Sequence, residues 1–203
     1  MVTRVEPLHP VEVRVLGALI EKDITTPEYY PLTVNSLQNA CNQKSSRDPV
    51  VQFDERIVEQ ALETLKNKHL VVRISGAGHR VEKWAHRLGE TLNLGRREMA
   101  LLCVLMLRGP QTVGELRGRT ERMHDFNDLD EVERVLETLE KSELVARASR
   151  GRWVQLLGGA VEIEDSQPVA VMRTPIEERV VALERELQRL KEQLEEKLGE
   201  RFD

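Results

Sequence analysis

Apolar positions recur at helical spacing in several separate stretches of the chain. Val13, Leu16, Leu19 and Ile20 share one face of a helix over 10–22, and Pro10 suits its first position. The stretch RREMALLCVLMLR predicts a similar helix over 96–108, closed by Gly109 and Pro110. Ile57, Val58, Ala61, Leu62 and Leu65 line one face of a helix that starts at Asp54. Val132, Val135, Leu136 and Leu139 do the same for a helix that starts at Asp128. Acidic residues at both starts complement the helix dipole. Each of these two helices runs at once into a short apolar strand, LVVRIS at 70–75 and LVARAS at 144–149. A turn follows, then a return strand carrying Trp84 or Trp153.

The chain therefore repeats itself. PLTVNSL at 31–37 returns as PQTVGEL at 110–116, an offset of 79, and VEQALETL at 58–65 returns as VERVLETL at 132–139, an offset of 74. Two landmarks in the same order, about five residues different in spacing, mark an internal repeat with a longer loop in its first copy. In both copies proline opens a short extended piece, because it cannot extend a preceding helix. Thr33 and Thr112 are then expected as N-caps, with Leu37 and Leu116 pointing inward. Helix, short strand, helix, helix, hairpin is the order of a winged helix-turn-helix. The expected fold is mainly α with small β hairpins: two tandem winged helix-turn-helix domains at 8–90 and 94–158. A Gly- and Pro-containing linker at 159–175 follows, then a C-terminal heptad helix at 176–199. In that helix Ile176, Val180, Leu183, Leu187, Leu190 and Leu194 form a coiled-coil seam. In a parallel pair Arg179 would meet Glu184 of a second copy, and Glu186 would meet Lys191, so the seam predicts a homodimer; the competing readings are an antiparallel pair and a helix folded back on a winged domain of its own chain.

Composition fits a helix-rich chain with small Leu and Val cores: of 203 residues, 40% are apolar, 32% charged and 3% aromatic. The longest apolar run, MALLCVLML at 99–107, is far short of the ~18 residues of a membrane span. No membrane partner is expected, and a cytoplasmic location is the default. Cys41 and Cys103 are isolated thiols rather than a disulfide framework. The net charge of −5 sits entirely in residues 160–203, which hold 12 acids and 7 bases, so the first 159 residues are neutral. Any basic footprint for nucleic acid must then be local.

TTPEYYPLTVNSLQNACNQKSSRDPV at 25–50, SGAGHRVEKW at 75–84 and RGPQTVGELRGRTERMHDF at 108–126 are the most distinctive stretches. With VALERELQRL at 181–190 they resemble the YceH-like family of bacterial proteins across nearly the whole chain. The resemblance implies tandem winged-helix domains and a C-terminal helix. It implies no biochemical activity, so no functional residue is carried over from it.

Candidate nucleic-acid contacts are Lys44 and Arg47 at the turn before the third helix, and Arg73, Arg80, Arg147, Arg150 and Arg152 on or beside the two wings. Such groups position a protein on phosphates. The competing reading makes 40–47 a surface loop whose Asn, Gln and Ser side chains satisfy backbone groups. His69, His79 and His86 match no usual zinc spacing, and no metal or other cofactor is expected. With no Gly-rich phosphate loop, no paired catalytic carboxylates and no nucleophile beside a base, an enzyme is not expected. One feature opposes groove reading: DLDEVERVLETLEKSE, the third helix of the second copy, holds seven acids and two bases. Two functions stay open. The first is a DNA-binding, transcription-regulatory protein that contacts double-stranded DNA. The alternative is a protein-interaction scaffold of the chromosome-segregation accessory type, partnered by another protein.

Overall fold

The computed structural model describes residues 6–75 and 81–159. Arg80, the heptad seam and nearly all of the expected linker lie outside the described residues. Within them the protein is mainly helical, with two small antiparallel sheets. None of the described helices is long and apolar enough to cross a membrane.

The first copy contains α1 (Pro10–Thr25), α2 (Val34–Cys41), α3 (Glu55–Asn67), β1 (Val71–Ile74) and β2 (Lys83–His86). A short α4 (Leu88–Leu92) leads to the second copy: α5 (Arg96–Arg108), β3 (Gln111–Thr112), α6 (Val113–Thr120), α7 (Leu129–Lys141), β4 (Val145–Arg147) and β5 (Arg152–Gln155). The three helices and the hairpin thus follow in the same order in both.

Local chemistry sets the helix starts. Thr33 accepts from Ser36 N–H at α2, and Thr112 accepts from Glu115 N–H at α6. Glu115 reaches back to accept the Thr112 N–H, completing a capping box. Thr112 is also the last residue of β3, so strand and cap meet in one residue. Asp54 and Asp128 cap α3 and α7 in the same manner. Each hairpin gains a further strand segment from the extended piece before the second helix. In the second copy this is β3, paired with β5 in the order β3-β5-β4. In the first copy it shrinks to a bridge in which Leu32 and Trp84 exchange both backbone hydrogen bonds, at 3.1 and 2.7 Å.

α1 and α5 pack on each other. Both are buried on every side along most of their length: Val13 to Ile20 without a break, and Met99 to Leu107 likewise. A helix apolar all round belongs inside a core. Gly17 makes the close approach possible, since a Cβ there would stand 3.0 Å from Leu107 Cδ2. Further ties join the copies: Leu8 N–H to Leu157 O at 2.7 Å, and Asp48 N–H to Leu107 O at 2.9 Å. The buried apolar residues of both copies form one cluster.

Candidate anion-binding cleft

The loop after α2 is held from inside by two buried arginines. Arg14 donates to Cys41 O at 3.3 Å and to Pro49 O at 2.7 Å. Arg47 donates to Ala40 O at 2.8 Å and forms a two-pronged pair with Glu21 at 2.7 and 3.0 Å. The Arg47 side chain has no exposure and that of Glu21 only 15%. Burial works to raise the Glu21 carboxyl pKa, but the hydrogen bonds and charge of Arg47 outweigh it and hold the group below its ordinary value. Asn42 clamps the far end of the loop, exchanging two 2.8 Å bonds with the backbone of Phe53.

The outer face of this loop forms one wall of a cleft of about 440 Å³. The last turn of α1 and its C-cap supply Glu21, Lys22, Thr25 and Thr26, and the loop supplies Gln43, Lys44, Ser45 and Ser46. The facing wall is Arg108 at the end of α5, Arg119 at the end of α6, and Arg122 just beyond it. Val104, Leu107 and Met123, all buried, form the floor. Five cations therefore line a space whose single carboxylate, Glu21, is already bound to Arg47.

Three of the five cations have a local reason to be there. Lys22, Arg108 and Arg119 lie in the last turns of their helices, where the dipole favours positive charge. Three helix C-termini together contribute roughly −1.5 charges, which offset part of the positive charge of the five side chains. Burial lowers the Arg108 pKa, and the charge of Arg119 lowers it further. Arg108 donates to Ser46 Oγ at 2.6 Å. Arg119 donates to Gln111 Oε1 and lies 3.5 Å from Glu115. Lys44 and Arg122 are exposed, and neither has an ion-pair partner among the described residues.

The candidates read from sequence are distributed differently from what was expected. Lys44 is exposed and lines the cleft. Arg47 does not: it is interior, and all its donors are spent on the protein, so it leaves the set of surface contacts. Arg73 pairs with Glu82 across the first hairpin at 3.1 Å. Arg147 lies over the Trp153 ring at 4.6 Å and pairs with Glu133 and Glu137 of α7 at 3.4 and 3.8 Å. Arg152 pairs with Glu115 at 2.8 Å. Arg150 is exposed, with a positive φ of 56° at the tip of the second hairpin. The wing arginines are thus largely tied to carboxylates of their own fold. Lys22, Arg108, Arg119 and Arg122 were missed. The available signal was the run of bases closing helices, RGP and LRGRTER, but their convergence is tertiary.

Cys41 and Cys103 are both buried, and burial pushes the Cys41 thiol up to about 12, away from reactivity. Among the described residues no His, Cys, Asp and Glu cluster has the makings of a metal site.

A family profile described as "Protein of unknown function, DUF480" matches residues 8–152, both copies of the repeat. A UPF0502 protein of Solibacter usitatus is 51% identical over 197 residues, covering 93% of this chain and 95% of its own. One from Citrifermentans bemidjiense is 50% identical over 190 residues, covering 89% of this chain and 88% of its own. A more distant one, from Serratia proteamaculans, is 42% identical over 197 residues, covering 91% and 92%. With the profile spanning both copies and such relatives aligned over nearly their full lengths, the chain belongs to the DUF480 family, that of the bacterial UPF0502 proteins.

Proposed function

We propose that this protein is a DNA-binding regulator built from two tandem winged helices, and that it holds double-stranded DNA by phosphate rather than by reading base edges. The observation that carries the reading is the convergence of Lys22, Lys44, Arg108, Arg119 and Arg122 in a chain segment of no net charge. The two recurring sets of helices and hairpin support the fold assignment. Groove reading is disfavoured because α7 carries its acids where donors would be needed, and Arg147 is bound to two of them. No catalysis is part of the proposal. Binding to labelled duplexes of unrelated sequence should be detectable at low salt and fall steeply as salt rises. Arg119→Ala with Arg122→Ala should weaken all duplexes alike and reduce the salt slope by about 2. Wild-type protein that ignores every duplex at low salt removes this reading.

The acidic α7 favours a second reading, a scaffold that docks another protein, with Leu129 at its start 49% exposed. On either reading the seam of Ile176, Val180, Leu183, Leu187, Leu190 and Leu194 makes a cytoplasmic homodimer. Sedimentation tests this: the full chain should be dimeric at tens of micromolar and a 1–174 truncation monomeric.

A further inference from the structure

We infer that the cleft between the two copies is a binding site for a small ligand bearing two or more phosphate groups. The inference rests on the same cations as the DNA reading but not on DNA being bound. The shape of the site is the first argument. These cations line a concavity of about 440 Å³. That volume lies in the roughly 300–1,000 Å³ range of small-molecule sites and is larger than one phosphate fills. Charge is the second argument. Lys22 and Arg119 already face Glu21 and Glu115 at 3.5 Å, but Lys44, Arg108 and Arg122 have no carboxylate partner among the described residues, three positive charges that a single phosphate dianion does not match.

Both copies contribute walls, Lys22 and Lys44 from the first and Arg108, Arg119 and Arg122 from the second. A ligand there cross-links them. The cations do not have to be gathered on binding, since α1, α5, α6 and the Arg47-braced loop already hold them in place.

The experiment is titration calorimetry of the full chain with inorganic pyrophosphate, with inorganic phosphate and with sodium chloride at matched ionic strength, all without DNA. Pyrophosphate should bind once per chain and roughly tenfold or more tighter than phosphate, with no saturable heat from chloride. Arg122→Ala, at an exposed residue with no ion pair among the described residues, should weaken it roughly tenfold, and Arg122→Lys should restore part. Arg119→Ala with Arg122→Ala should abolish it while the protein keeps its helical circular dichroism. Equal heats from pyrophosphate and matched chloride, or undiminished binding by a folded double variant, would overturn the inference. Pyrophosphate binding by a protein that binds no duplex upholds the inference and removes the DNA reading. Duplex binding without pyrophosphate binding does the reverse.

Discussion

Arg47 and Glu21 form the most costly polar contact in the described structure to disturb. Two opposite charges have been taken out of water, and each satisfies the other with help from Ala40 O and Gln43 Oε1. Removing one partner leaves a buried charge with nothing to compensate it, so Arg47→Ala should destabilise the fold by about 3–5 kcal/mol. Urea denaturation measures this as a lower midpoint at unchanged slope. The pair also has a pH signature. The folded Glu21 carboxyl is held below its ordinary value, so the unfolded chain takes up the proton first. The stabilisation is complete above the unfolded pKa of about 4.3 and is lost as pH falls through the lower folded value. Glu21→Gln should therefore lose less stability than wild type between about pH 5 and pH 3. At this scale the caps were legible and the buried pair was not. Thr33, Thr112, Asp54 and Asp128 act on amides three residues away, so their role is written locally. Arg47 looks in sequence like the Lys and Ser beside it. Its burial depends on Glu21, 26 residues earlier, and on α1 packing against α2.

At the scale of elements, periodicity located the long helices because each must bury a face. The helix expected over 96–108 has those bounds, since Gly109 follows at a positive φ of 67° and ends it. α1 runs three residues past the expected 22. Thr25 and Thr26 bond back to the Glu21 and Lys22 carbonyls, and the added turn forms the cleft wall. α4 was not anticipated: it is little more than one turn, too short to show a period, and is anchored by the buried Leu88. The contact between α1 and α5 turns on Gly17. A glycine inside a helix costs roughly 0.5–1 kcal/mol relative to alanine, so its presence calls for a steric reason. That reason is Leu107, with Cδ2 at 3.0 Å and Cγ at 3.1 Å from an added Cβ, and Met106 Cβ at 3.2 Å. Gly17→Val adds two further carbons where none fits. The overpacking, typically 1–3 kcal/mol, should exceed the gain in helix propensity, and the thermal midpoint should fall. A rise in the midpoint would mean the α1–α5 crossing adjusts freely.

For the whole molecule, the repeat was plain in the sequence, but what its two copies do to each other was not. The pattern of Val13–Ile20 and Met99–Leu107 says that both helices are buried; it does not say by what. In the structure the answer is each other, and the basic cleft is a product of that union: each copy alone has only one of its walls. This makes the two copies one energetic unit. Each fully buried Leu, Val or Met contributes about 1.5–3 kcal/mol, and a domain's net stability is only about 5–15 kcal/mol. Cutting the chain between the copies uncovers the shared faces of α1 and α5, along with the Leu8–Leu157 and Asp48–Leu107 hydrogen bonds. Losing even four such side chains from the core removes about 6–12 kcal/mol, enough to exhaust what a half this size retains. A piece covering 1–93 and one covering 94–159 should each fail to give a cooperative thermal transition, while 1–159 melts in a single step. Calorimetry of the three decides it: two separate transitions in 1–159, or a cooperative transition in either half, would show that the copies are independent. The cleft would then be a hinge between domains rather than a fixed site.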